Sequence, residues 1–110
     1  MRKLSLDAQV REHLGRAAGA STGRSAQTVY GGHEQVLRQT LIALKAHTAL
    51  AEHDTPGEST LMILRGRVRL VSGPDTWDAM AGDLLILPPT RHSLEALEDS
   101  AVFLTVAITH

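Results

Sequence analysis

The 110-residue chain has no cysteine and no asparagine, and only one each of tryptophan, tyrosine and phenylalanine. Without thiols there is no disulfide framework, no thiolate nucleophile and no cysteine-ligated zinc site. Three aromatic rings and a net charge of −1 supply neither the basic face nor the stacking platform of a dedicated nucleic-acid binder. The apolar runs are far too short to span a membrane. The start, Met1-Arg2-Lys3-Leu4-Ser5-Leu6-Asp7, turns acidic too soon for a signal peptide. A cytoplasmic protein with no nucleic-acid or membrane partner is expected.

What is present is enough apolar material, 43% of the residues, for one core. At this mass, area scaling gives roughly 5,900 Å² exposed when folded against about 17,000 Å² unfolded. That leaves little surplus stability, and a homodimer would be a natural supplement.

Leu6, Val10 and Leu14, spaced at helical intervals behind Ser5 as N-cap and Asp7 in the first turn, predict a short amphipathic helix from Ser5 to about Ala18. This assignment puts His13 on the polar side. Gly15, Gly19 and the run Ala20-Ser21-Thr22-Gly23-Arg24-Ser25 dissolve the pattern. Residues 1–24 thus read as helix and connector, and residues 25–110 as a separate all-β unit.

In that unit, short runs punctuated by Gly, Pro and Asp predict strands at Gln27–Tyr30, Gln35–Lys45, Thr60–Leu64, Arg67–Val71, Thr76–Met80, Asp83–Leu87, Ser93–Leu97 and Val102–Ile108. Arg65-Gly66-Arg67 is a tight hairpin whose glycine needs positive φ, and Ser72-Gly73-Pro74-Asp75 is a second turn. Alternation in Arg67-Val68-Arg69-Leu70-Val71 makes the arginines a solvated face. Leu61-Met62-Ile63-Leu64 and Leu84-Leu85-Ile86-Leu87 are apolar on both faces and need an outer cover, for which a second subunit is favoured over one short helix. The expected interior is Leu37, Leu41, Leu61, Ile63, Val68, Leu70, Leu85, Leu87 and Phe103, with Gln39 as an inward amide. Trp77 is expected on the barrel exterior or at a dimer contact.

Residues 47–66, from His47 through His53-Asp54-Thr55-Pro56-Gly57-Glu58-Ser59 to Gly66, and residues 82–93, Gly82-Asp83-Leu84-Leu85-Ile86-Leu87-Pro88-Pro89-Thr90-Arg91-His92-Ser93, together resemble the two motifs of the cupin family. The resemblance runs from about Tyr30 to Ile108. It implies an antiparallel jelly-roll barrel with a pocket between two sheets, following the short helix. The family's first motif carries Gly, His-x-His, Glu and Gly; its second carries Gly, Pro-x-Gly, His and Asn. Counted back from Gly66, the first histidine is His53, the second histidine position is Thr55, the glutamate position is Ser59, and His47 takes the opening glycine position. Thr90 stands for the second motif's inner glycine, His92 falls one residue early, and the terminal asparagine has no counterpart.

A cupin metal centre uses three histidines and a glutamate, which suit Fe, Mn, Ni or Zn. Only His53 and His92 carry over here, with Glu58 one residue from the carboxylate position, so the resemblance implies at most a reduced metal set of His53, His92 and Glu58. The first reading is therefore a single-domain cupin that binds a small organic molecule, with His53, His92, Gln39, Thr55 and Ser59 as ligand contacts. A metal-dependent dioxygenase or isomerase is the alternative, and an accessory protein acting by protein contact is a third. His33, His47 and His110 carry less weight, and Ser59 and Ser93 lack the elbow of a serine nucleophile.

Overall fold

Ser5 caps the helix as expected: its hydroxyl accepts the Ala8 amide at 3.2 Å, and Asp7 follows in the first turn. A computed structural model of the protein describes residues 1–53 and 57–108, with His53 described through its backbone. The elements are α1 (Leu6–Gly19), β1 (Arg24–Tyr30), β2 (Leu37–Leu44), β3 (Ala49–His53), β4 (Ser59–Arg65), β5 (Arg67–Ser72), β6 (Asp75–Met80), β7 (Leu84–Ile86), β8 (His92–Ala96) and β9 (Ser100–Ala107). They form a five-stranded sheet, β1-β2-β9-β4-β7, facing a four-stranded sheet, β3-β8-β5-β6, with every pairing antiparallel. This is the jelly-roll that the resemblance implied.

Strand β3 has no counterpart among the expected strands. Ala49-Leu50-Ala51-Glu52-His53 lacks β-branched residues, and its pairing with β8 makes it a strand where local preference would not.

The core lies between the sheets. Leu44, Leu61, Ile63, Val68, Leu70, Leu94 and Val102 are buried there, with Ile42, Leu85, Leu87 and Leu104 packed against them. The expected interior is correct for β4, β5 and the β7 region, and wrong by one residue in β2 and β9. Leu41 and Phe103, register partners, face outward and pack with Val10 of α1, while their neighbours Ile42 and Val102 face inward. Leu37 and Gln39 share the parity of Leu41. Both strands are apolar on both faces, so alternation could not fix which face was inside.

The helix buries Val10, with Leu14 packed beside it and Leu6 half-buried, and it also buries His13 and Ala17, which the expected stripe left out. His13, expected on the polar side, is only 1% exposed. Its Nε2–H donates to Gln27 Oε1 at 2.9 Å, and its Nδ1 accepts from the Ser25 hydroxyl at 2.6 Å. Both partners lie on β1, so a polar residue becomes the pin between helix and sheet.

Two turns behave as read. Gly66 has φ 80°, and a Cβ there would strike the Asp99 carbonyl. His47 adopts φ 70° at the position where the family motif has glycine. Trp77, expected on the exterior or at a dimer contact, is 44% exposed, stands opposite Leu70 and borders a small cleft with Leu84 and Leu85. Arg69 and Asp78, register partners on the outer face, form a paired contact at 2.7 and 3.0 Å. The hydrogen bond from Arg69 holds the Asp78 carboxyl below its ordinary value, and the same bond raises Arg69.

His13→Ala is expected to destabilise the protein by about 2–3 kcal/mol, combining a buried cavity with two stranded hydrogen-bond partners. Urea denaturation would measure this, and a change under 0.5 kcal/mol, roughly the scale of an ordinary surface substitution, would contradict the pin.

Candidate functional site

Sequence places the candidate residues at strand ends, and the ladders decide which of them meet. His92 opens β8 and is 4% exposed, not a loop histidine. It borders a small cavity of about 30 Å³ inside the barrel, among Ile42, Leu61, Leu70, Leu87 and Leu104. Its Nδ1 donates to the Thr90 carbonyl at 3.0 Å, which fixes the ring against the loop that precedes β8. The loop before it is tied to β5: the Ser72 hydroxyl donates to the Arg91 carbonyl at 3.0 Å and accepts from Thr90 Oγ1 at 2.7 Å. Thr90, where the family has glycine, thereby orients the segment that carries His92.

His53 ends β3 as the register partner of His92. The two backbones are directly opposed across the ladder, which resumes here after a register shift. Thr55 lies outside the described residues.

Ser59 opens β4 opposite Val106 and is 7% exposed; its Oγ is buried and has no hydrogen-bond partner among the described residues. The Ser59 carbonyl accepts the Leu87 amide at 3.1 Å, extending the β4–β7 ladder. Gly57 passes so close to the Ala107 carbonyl that any Cβ would collide with it. Ser59 lines a cleft of about 680 Å³ at this end of the five-stranded sheet, together with Leu37, Ile86, Leu87, Pro89 and Thr105. That volume suits a small organic ligand. Leu87 borders both this cleft and the inner cavity of His92.

Gln39 does not join them. It lies on the outer face, donates from Nε2 to Thr105 Oγ1 at 3.3 Å, and borders a different cleft beside Tyr30 and Phe103. The inward amide expected from sequence is corrected by the same one-residue parity that moved Leu41. Glu58 is exposed at the rim of the Ser59 cleft.

The residues present do not fit the four-ligand metal centre that the resemblance implies. The carboxylate position holds a neutral hydroxyl, Glu58 is turned to solvent beside it, and among the described residues no three His, Asp or Glu side chains converge. Sequence singled out Ser59 only as a lost ligand. Its role as an unpartnered polar group emerges from the packing around it.

No protein-family model matches the chain, and no curated protein matches it. Solved structures do. A cupin superfamily protein from Desulfitobacterium hafniense superposes with a TM-score of 0.71 at 14% identity, covering 78% of each chain. An RmlC-like cupin from Desulfovibrio desulfuricans gives 0.67 at 25% identity, over 76% of this chain and 81% of the other. A salicylate 1,2-dioxygenase from Pseudaminobacter salicylatoxidans gives 0.76 at 18% identity; it covers 91% of this chain, which spans only 33% of that enzyme. Two facing antiparallel sheets, superposable on these proteins, give the chain the jelly-roll fold of a small cupin domain.

Proposed function

We propose that this cupin domain binds a small organic molecule at the open end of the barrel formed by residues 25–110, with residues 1–24 as an outer cover. His92 and Ser59 are its proposed polar contacts, joined by His53 and by Thr55, which lies outside the described residues. The buried, unpartnered Ser59 hydroxyl on a ligand-sized cleft carries this reading. A buried hydroxyl without a partner costs about 1–3 kcal/mol, which a ligand oxygen or nitrogen would recover.

The metal-dependent alternative, with Fe, Mn, Ni or Zn on His53, His92 and Glu58, is disfavoured by the exposed placement of Glu58. The likeness to a dioxygenase is one of fold, and fold hosts many chemistries.

The protein is further proposed to be a cytoplasmic homodimer, in keeping with its lack of cysteine. Among the described residues no helix is long and apolar enough to cross a membrane. The outer face of β4 and β7 exposes Met62 (42%), Leu84 (52%) and Ile86 (73%). The total accessible surface, 6766 Å², exceeds the roughly 5,900 Å² of a monomer of this mass. A second copy laid on this face supports both observations.

Two measurements test these readings. Thr55→His with Ser59→Glu should bind one equivalent of Zn(II) that survives mild chelation, while the parent retains none. Metal retained by the parent, or a folded double variant that binds none, would show that the ligand register is misassigned. Light scattering should give a dimer at micromolar concentration, and Ile86→Glu should convert it to monomer. A monomeric parent would refute the interface.

A further inference from the structure

A second cleft, of about 680 Å³, lies outside the barrel, between the segment that precedes α1 and the outer face of the five-stranded sheet. That volume suits a small molecule, and the cleft is independent of the ligand proposed for the barrel. Its apolar wall is made by Leu4, Leu6, Val29 and Phe103, with the half-exposed Tyr30 ring beside them. Strict alternation would send Val29 and Tyr30 to opposite faces of β1. The ladder to β2 instead steps from Thr28–Thr40 to Tyr30–Gln39, and this bulge lets both side chains line the same cleft. Gln39, held to Thr105 Oγ1, stands between this cleft and the one that Thr105 lines with Ile86.

Arg2 and Lys3 supply the charge of the lining. Both are exposed, and neither forms an ion pair or a side-chain hydrogen bond among the described residues. No aspartate or glutamate is among the described lining residues. The carboxylate of Asp7, next to Leu6, is already bonded by Arg11 at 2.6 Å and by Arg65 at 2.8 Å. An anionic head would therefore meet two cations and no like charge, while a hydrocarbon body would cover the apolar wall. An ammonium would be repelled, and a neutral chain would gain the wall alone. We infer that this cleft binds an anionic amphiphile, a free carboxylate on a hydrocarbon chain, with its head at Arg2 and Lys3 and its chain against Val29, Tyr30 and Phe103.

The test uses the full chain with octanoate, octanol, octylammonium and acetate as probes, each kept monomeric. Tyr30 and Phe103 are the sole residues of their types, so their ring protons report contact without ambiguity. Octanoate methylenes should give nuclear Overhauser contacts to both rings. Octylammonium should bind at least about fivefold more weakly, and acetate should leave the rings unperturbed. Arg2→Gln with Lys3→Gln should weaken octanoate about three- to tenfold, to the level of octanol, and leave the melting temperature unchanged, since neither side chain is paired in the fold. Absence of the ring contacts, equal affinity for octanoate and either octylammonium or acetate, or an undiminished double variant would overturn the inference. Octanoate signals confined to Leu87 and His92 would overturn it too while favouring the barrel site. Sedimentation with phosphatidylglycerol vesicles, without binding of monomeric octanoate, would overturn it by assigning Arg2 and Lys3 to a lipid surface.

Discussion

Strand β9 carries apolar side chains on both faces, and each face has to leave water. Val102 and Leu104 enter the barrel, while Ala101 and Phe103 face out. The five-stranded sheet is built around this strand, flanked by β2 on one side and β4 on the other. Inward burial is met by the facing sheet. Outward burial is met by α1, a helix of 14 residues that is about 21 Å long and 10 Å wide. Strands lie about 4.8 Å apart, so such a helix covers two or three of the five. It packs on β1, β2 and β9 and leaves the outer face of β4 and β7 bare. The apolar surface offered to a second copy follows from that shortfall in width.

His13 fixes where the helix sits. A leucine at its place would slide along an apolar surface, whereas an imidazole bonded at both nitrogens to Ser25 and Gln27 specifies one position. Buried polar groups of this kind add little net stability when satisfied and cost much when broken. Ser59 illustrates the opposite case. Its hydroxyl has no partner among the described residues, and it occupies the position where the family motif carries a carboxylate. A glutamate there would require a metal or another cation to offset its charge. A serine tolerates the apolar surroundings at a modest penalty.

The helix, most strands and the Gly66 hairpin were legible because caps, positive-φ glycine and turn composition act within a few residues of chain. The motif spacing also placed His92 and Ser59 at the ends of the correct strands. Three features were not legible. Strand β3 exists only through its ladder to β8, the parity of β2 and β9 is ambiguous in sequences apolar on both faces, and the value of His13 depends on hydrogen-bond partners 12 and 14 residues away. Gln39 was misplaced for the second of these reasons, and so was not part of the cleft.

The sequence by itself determined an all-β unit, the turns that permit it and the loss of a carboxylate from the motif, since each rests on local geometry or on residue identity, and the jelly-roll was implied by the resemblance to the cupin motifs. Only the tertiary structure decided which side of β2 and β9 faces the barrel, that His13 pins the helix, and that the Ser59 hydroxyl is buried without a partner among the described residues. Those outcomes depend on which groups meet across strands far apart in the chain, and a pattern read along one strand carries no information about the partner it will face.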